Sequence, residues 1–187
     1  MRVLASLATL AVLAACAVPL EPTLTRGDYF EAQDTQGFLD SRPATAIAAM
    51  PTTGTANYTG RVAADLTGGS NGSILGDVRL ETNYSSSVVT GKIKNINMYN
   101  DSLEPQQVMD GELELNGNVV DNKMVVGGKG YLVRVDNGFS NGADANVLMQ
   151  GQFRTNTAPA DTVTGTITGS ATGGFDFTLK NGVFYAQ

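Results

Sequence analysis

The feature that most constrains the fold is a period-two alternation of apolar and polar residues, which begins near Gly54 and continues to the end of the chain. In one such run, Val62 and Leu66 share a face. Arg61 and Asp65 lie on the opposite face. Because successive side chains of a strand point to opposite sides, the alternation predicts strands with one apolar face. About eight such runs are separated by polar turns, a spacing typical of an all-β sandwich or barrel.

Glycine recurs on the faces that we predict to be apolar. These glycines are Gly60, Gly91, Gly117, Gly127, Gly151, Gly165 and Gly169. Glycine inside a strand marks a bend or a close approach of backbones, and a small closed barrel needs such bends where its strands coil. We therefore predict an all-β fold with a single eight-stranded antiparallel up-and-down β-barrel over residues 53–187. Side chains normally fill a barrel of this size, so we expect a packed interior.

The alternation also predicts details of register. It slips in phase between Ile93 and Ile96, which indicates a β-bulge. Residues 121–122 predict a hairpin turn, after which Val125 and Tyr131 are expected on the apolar face. The last strand is expected to run on in phase from Phe177 and Leu179 toward Val183 or Tyr185.

The faces predicted to point outward are polar. Their charged residues are Arg61, Asp65, Asp77, Arg79, Glu112, Glu114 and Arg154. A transmembrane barrel instead presents an apolar band with aromatic girdles, and aromatic residues make up only 7% of this chain. We expect the outer wall of the barrel to face water.

Residues 1–15 have the organisation of an export signal, which is a basic start followed by an apolar run and small residues. The run is too short to span a bilayer, which needs about 20 residues. It ends in Leu13-Ala14-Ala15-Cys16, which resembles the lipobox of bacterial lipoproteins, and Cys16 is the only cysteine. We predict lipidation at Cys16 and a membrane anchor, with an ordinary secretory signal and a chance cysteine as the alternative. Ala17 is compatible with transfer to the outer membrane.

Residues 16–52 contain four of the six prolines and no sustained alternation. Such a composition predicts a lipidated N-terminus followed by a flexible tether. The only regular structure expected there is a short helical turn near residues 44–50.

Four segments of the predicted barrel also match a known pattern. They are Gly-Thr-Ala-Asn-Tyr-Thr-Gly at residues 54–60, Gly-Asp-Val-Arg-Leu at 76–80 with Val-Thr-Gly-Lys-Ile at 89–93, Gly-Phe at 138–139 with Gly-Gln-Phe at 151–153, and Gly-Val-Phe-Tyr-Ala at 182–186. In these segments, residues 54–187 resemble the β-barrel domain of transferrin-binding protein B-like surface lipoproteins, a group that includes factor H binding protein. The resemblance implies the barrel fold and the surface-lipoprotein class, and it supplies no binding residues.

The composition argues against enzyme chemistry. The chain has no histidine, so a Ser-His-Asp triad cannot form, and its one thiol is assigned to the lipid. Glu112 and Glu114 are the residue type of a glycosidase pair, but they alternate with apolar residues on an outward face. Residues 136–144 are rich in Asp, Asn and Gly, which are possible Ca²⁺ ligands and also ordinary turn residues. We expect no enzyme, no catalytic residues, no cofactor and no metal, with calcium as the weaker alternative.

The charge excludes one class of partner. The chain has 12 basic and 18 acidic residues without a basic stripe, so we expect no nucleic acid as a partner. We predict a non-enzymatic lipoprotein of the cell outer membrane, on its surface or periplasmic face. Its barrel is expected to bind a protein or other macromolecule through its outer face and through residues 99–107, 136–144 and 156–161. The alternatives are a periplasm-facing carrier of a small apolar ligand in the barrel and a hydrolase inhibitor.

Overall fold

The computed structural model describes residues 17–187. The predicted signal and Cys16 lie outside the described residues. The described chain contains helix α1 (Arg26–Asp40), a 3-10 turn (Ile47–Ala49) and nine strands. The strands are β1 (Thr55–Thr67), β2 (Gly72–Asn83), β3 (Val88–Tyr99), β4 (Pro105–Met109), β5 (Leu113–Val120), β6 (Lys123–Asp136), β7 (Phe139–Arg154), β8 (Thr162–Gly173) and β9 (Phe177–Ala186). Neither helical element of residues 17–187 is long and apolar enough to cross a membrane.

The nine strands occupy eight positions of a closed antiparallel barrel. The pairing order is β2-β1-β9-β8-β7-β6-β5-β3, and the additional pairing of β2 with β3 closes the ring. β4 and β5 share one position, since β4 pairs with the second half of β3 and β5 with the first half. The predicted eight-stranded up-and-down barrel is confirmed.

The barrel interior is filled by one continuous cluster of buried apolar side chains. Its large members include Phe153, Phe184, Leu80, Met124 and Met149, each at most 1% exposed. The rings of Tyr58 and Phe153 lie 6.0 Å apart between centroids. The expectation of a packed interior agrees with this cluster.

Two predicted details of register are confirmed. The β2–β3 ladder shifts by one residue opposite Gly76, and Asn95 of β3 adopts a φ of 52°, in the left-handed region. This is the bulge expected between Ile93 and Ile96. Residues 121–122 form the turn between β5 and β6.

Two predicted faces are wrong. In β6, Met124 and Val126 face the interior, while Val125 and Tyr131 are 48% and 57% exposed. Residues 124–126 are all apolar, so alternation alone did not distinguish the two faces. In β9 a register shift lies between Leu179 and Gly182, which turns Phe184 inward.

The turns define two ends of the barrel. We call the end formed by the turns at 68–71, 100–104, 137–138 and 174–176 the upper end, and the end with the turns at 84–87, 121–122 and 155–161 the lower end. The backbone N–H of Ala17 donates to the carbonyl of Gly138 at 2.9 Å, so the described chain begins at the upper end. The N–H groups of Thr23 and Leu24 then donate to the Asn97 side chain on the barrel wall.

Helix α1 follows and packs outside the barrel. Thr25 and Asp28 form a reciprocal capping box that starts the helix, which satisfies backbone donors that have no partner within the helix. Tyr29 and Ala32 on one side of α1 pack against a cluster that contains Leu75 and Tyr99 of the barrel. Burial raises the pKa of Tyr99 to about 12.

The segment after α1 reaches the lower end. Thr45 is fully buried, its N–H donates to the carbonyl of Phe153, and its hydroxyl accepts from the N–H of Ala160. The 3-10 turn at Ile47–Ala49 lies inside the range expected for a helical turn. The expectation that a short helical turn is the only regular structure in residues 16–52 is wrong, because residues 26–40 form α1. Within residues 17–50 the chain contacts the barrel at both ends.

Candidate binding surface

The loops expected to bind a partner are held by their own hydrogen bonds. In residues 99–107, the Asn100 side chain accepts from the N–H groups of Ser102 and Glu104 at 2.9 and 3.0 Å. Tyr99 is buried under α1. This loop lies at the upper end.

Residues 136–144 form a tight β6–β7 hairpin, because Asp136 pairs with Phe139 across the turn at residues 137–138. The Asp136 carboxylate accepts from Nε of Arg134 at 2.6 Å. Asp144 lies farther along the ladder, opposite Tyr131. In residues 17–187 no group of three or more Asp, Glu, His or Cys side chains is arranged to hold a metal ion.

Residues 156–161 lie at the lower end, and Asp161 organises them. Its carboxylate accepts from the N–H groups of Asn156, Thr157 and Ala158 at 2.7–2.9 Å. Partial burial raises the pKa of Asp161, but the three backbone donors outweigh it and lower this pKa to about 2. The structure therefore does not bring the three predicted loops together.

A groove of about 1210 Å³ lies on the outer wall of the barrel. We call it the outer groove, and its lining comes from β9, β1, β2, β3, β5 and β6. Strands approach closely in its floor: a Cβ atom on Gly60 would lie 2.0 Å from the carbonyl oxygen of Tyr185, and one on Gly91 would lie 2.2 Å from that of Arg79. The backbone can bend to this extent because these two positions carry no side chain.

The outer groove is rich in charge. Its basic residues are Arg61, Arg79, Lys92, Lys94 and Lys129. Its acidic residues are Asp77, Glu81, Glu112 and Glu114. Polar side chains such as Thr59, Thr90 and Asn116 complete the lining.

Most of the acidic residues of the outer groove form ion pairs with its basic residues. Arg61 pairs with Asp77. Nζ of Lys92 lies 2.6 Å from Oε1 of Glu112 and 2.9 Å from Oε1 of Glu114. The hydrogen bond to Glu112 is the main cause that raises the pKa of Lys92, and it lowers the pKa of Glu112. Glu112 and Glu114 are thus bound to one lysine.

Three cations remain outside these pairs. Among the ion pairs of the described residues, none includes Arg79, Lys94 or Lys129. Arg79 lies directly opposite Lys92 in the β2–β3 ladder, and both side chains are exposed. Like charges directly opposite each other destabilise a sheet.

The alternation predicted that Arg79 and Glu114 point outward but did not reveal that they share a groove. The β2–β3 hairpin does indicate which residues of these two strands lie side by side. Asn83 pairs with Val88 across its short turn, and counting back from this pair places Arg79 opposite Lys92. The closure of β1 onto β9 and the bend of the wall have no comparable local signal.

No protein-family model, curated protein or solved structure matches this chain in the comparisons. The resemblance to transferrin-binding protein B-like lipoproteins stays a prediction.

Proposed function

We propose that this chain is a non-enzymatic lipoprotein of the outer membrane, anchored through Cys16, whose barrel holds a protein partner in the outer groove. The single observation that carries the binding role is the position of the groove. It lies on the outside of a barrel whose interior is filled by its own side chains.

The arrangement of the chain is compatible with the anchor. Ala17 is bonded to the turn at the upper end, and Cys16 directly precedes it. Lipid on Cys16 would then attach beside the upper end, leaving the outer groove on the barrel wall and the lower end away from the bilayer.

The size of the outer groove supports a macromolecular partner. Pockets for small molecules usually measure about 300–1,000 Å³ and enclose most of the ligand. The outer groove exceeds this range and is lined by charged and polar groups. A segment of a protein fits such a surface better than a small apolar ligand.

The anchor is tested by Cys16→Ala in the native host, followed by metabolic labelling with palmitate and membrane fractionation. We expect label and membrane association in the wild type and the loss of both in Cys16→Ala. Equal membrane association of both forms would overturn the anchor. Protease added to intact cells then reports the face: digestion assigns the barrel to the surface, and protection until the outer membrane is opened assigns it to the periplasm.

The binding surface is tested by photo-crosslinking in cells. A photoreactive amino acid replaces Thr90 in the outer groove or, as the matched control, Thr166, which is exposed on β8 outside the groove. We expect a discrete adduct of higher mass from position 90 and none from position 166. Adducts from position 166 alone would place the binding surface elsewhere.

One observation favours the hydrolase-inhibitor alternative. An inhibitor needs an ordered, protruding loop. In residues 156–161 the exposed Thr157 and Ala158 donate to the Asp161 carboxylate, and Pro159 beside them is also exposed. Lysozyme and trypsin, assayed with increasing amounts of the protein, test this alternative. Dose-dependent inhibition that Asp161→Ala abolishes would support it, and full activity of both enzymes would count against it.

A further inference from the structure

We propose that the outer groove binds an extended acidic peptide segment, whose carboxylates pair with Arg79, Lys94 and Lys129. This inference rests on the proposed function, because it names the chemistry of the partner that the groove would hold.

The first support is the distribution of charge. Five of the chain's 12 basic residues line the outer groove, against four of its 18 acidic residues. The chain as a whole has a net charge of −6. The groove therefore has an excess of one positive charge on an acidic protein, and its cations can attract a partner of negative charge.

The second support is the ion pairing within the groove. Asp77 already pairs with Arg61, and Glu112 and Glu114 both pair with Lys92. Arg79, Lys94 and Lys129 are not part of these pairs, although Lys94 lies opposite Asp77 and Lys129 lies opposite Glu114 in the ladders. Carboxylates of a partner can therefore approach these three cations without breaking one of the ion pairs.

The third support is the opposition of Arg79 and Lys92. Lys92 is already bound by Glu112 and Glu114, which leaves Arg79 as the cation of this pair without a carboxylate. A carboxylate of the partner would give Arg79 an ion pair of its own.

The dimensions favour a peptide in extended form. The groove crosses six strands, and neighbouring strands lie about 4.8 Å apart, so its length is at most about 24 Å. About seven residues of extended chain cover this distance.

The remaining acidic residues favour a peptide over a uniform polyanion. Glu81 and the three paired carboxylates line the same groove and would repel a uniformly charged sulfated polysaccharide. A peptide carries spaced charges, and its backbone N–H groups can donate to these carboxylates. Thr59, Thr90 and Asn116 provide further partners for its backbone.

The test uses the full-length protein in detergent and a fluorescent peptide of about ten residues that alternates Glu and Thr. Binding is measured by fluorescence anisotropy, with an alternating Lys and Thr peptide for comparison. We expect the acidic peptide to bind, the basic one to bind at least about tenfold more weakly, and Arg79→Glu to weaken the acidic peptide about tenfold. Lys123→Glu makes the same charge change at an exposed position outside the groove and should leave affinity within about twofold.

Equal binding of the two peptides, or equal loss in Arg79→Glu and Lys123→Glu, would overturn the inference. Tighter binding of heparin than of the acidic peptide, with the same dependence on Arg79, would overturn it in favour of a polyanion. Thermal melting of each variant checks that it is folded, and Arg79→Gln repeats the test without adding a negative charge. An adduct from position 90 in cells without acidic-peptide binding would retain the proposed function and reject this inference.

Discussion

Arg154 of β7 holds the end of helix α1 against the barrel through Asp40, with Nη2 of Arg154 lying 2.5 Å from Oδ1 of Asp40. Nη1 of Arg154 donates to the carbonyl of Arg42 at 3.0 Å, and Nε donates to the Thr164 hydroxyl at 3.1 Å. The Thr164 hydroxyl itself donates to Asp40. One arginine therefore connects the N-terminal segment to two strands.

Replacing Arg154 is expected to loosen this segment while the barrel stays folded. In Arg154→Met we expect the free energy of unfolding to fall by about 1–3 kcal/mol, because charged hydrogen bonds are lost in a half-buried site. Hydrogen exchange should quicken in residues 36–45 and stay slow in the barrel strands. Lys123→Met is the exposed control, and unchanged protection of residues 36–45 in Arg154→Met would contradict the connecting role.

The hydroxyls of Tyr58 and Tyr84 form a buried hydrogen bond whose direction can be tested. They lie 2.5 Å apart, and the Tyr58 hydroxyl also donates to the carbonyl of Ala160 at 2.6 Å. Since Tyr58 has one hydroxyl proton, Tyr84 must donate to Tyr58. Tyr58→Phe leaves two buried partners unsatisfied and should cost about 1–3 kcal/mol, whereas Tyr84→Phe removes one bond and should cost about 0.5–1.5 kcal/mol. Urea unfolding measures both, and the reverse order would rule out this direction of donation.

We expect the free energy of unfolding to depend on pH through Asp161. Its pKa is lowered to about 2 in the folded protein, against about 3.9 in an unfolded chain. The lowered pKa means that the stabilising contribution of Asp161 is present above about pH 4 and is lost as the pH falls toward 2.

Asp161→Asn should therefore be less stable than the wild type at pH 7, and this difference should shrink between pH 4 and pH 2. Urea unfolding at several pH values measures the difference. Asp121→Asn, which removes an exposed turn carboxylate, controls for the loss of one charge. A difference that stays constant down to pH 2 would show that the Asp161 carboxylate does not hold the loop.

Gly165 lies where two strands approach closely, whereas Gly127 lies at the open surface. A Cβ on Gly165 would lie 2.0 Å from the carbonyl oxygen of Gln150, whereas one on Gly127 would meet only the Asn116 oxygen at 3.9 Å. Gly165→Ala forces backbone to move and should cost more than about 2 kcal/mol. Gly127→Ala should be neutral or stabilising by about 0.4–1 kcal/mol, since alanine restricts the unfolded chain. Equal effects in thermal unfolding would contradict the close strand packing at Gly165.

Much of the barrel could be predicted from alternation, because each strand has one face against the interior. The bulge between Ile93 and Ile96 was visible as a phase slip. The prediction of the inward face failed in β6, because Met124, Val125 and Val126 are all apolar. It also failed in β9, because nothing in the residue types there indicates the register shift before Gly182.

Helix α1 and the outer groove were missed for different reasons. The sequence does contain a short indication of the helix. Thr25 and Asp28 have the spacing of a capping box, and Tyr29 and Ala32 have helical spacing, but they lie in a segment that also contains prolines. The groove depends on which strands neighbour each other around the closed ring. That arrangement is set by long-range pairing, as between β1 and β9, and no local pattern contains it.

The central claim is that the outer groove, with its unpaired cations on the described barrel wall, is a binding surface. Arg79→Glu tests it, because this variant reverses the charge of one unpaired cation. Lys92, which lies opposite, is already bound by Glu112 and Glu114, so we expect the free energy of unfolding to change by less than about 0.5 kcal/mol.

The decisive measurement is the yield of the photo-crosslinked adduct from position 90 in cells that carry Arg79→Glu. We expect the adduct to be lost although the variant is folded and is present in the same amount as the wild type. An adduct at the wild-type yield would contradict the claim that the unpaired cations of the outer groove bind the partner.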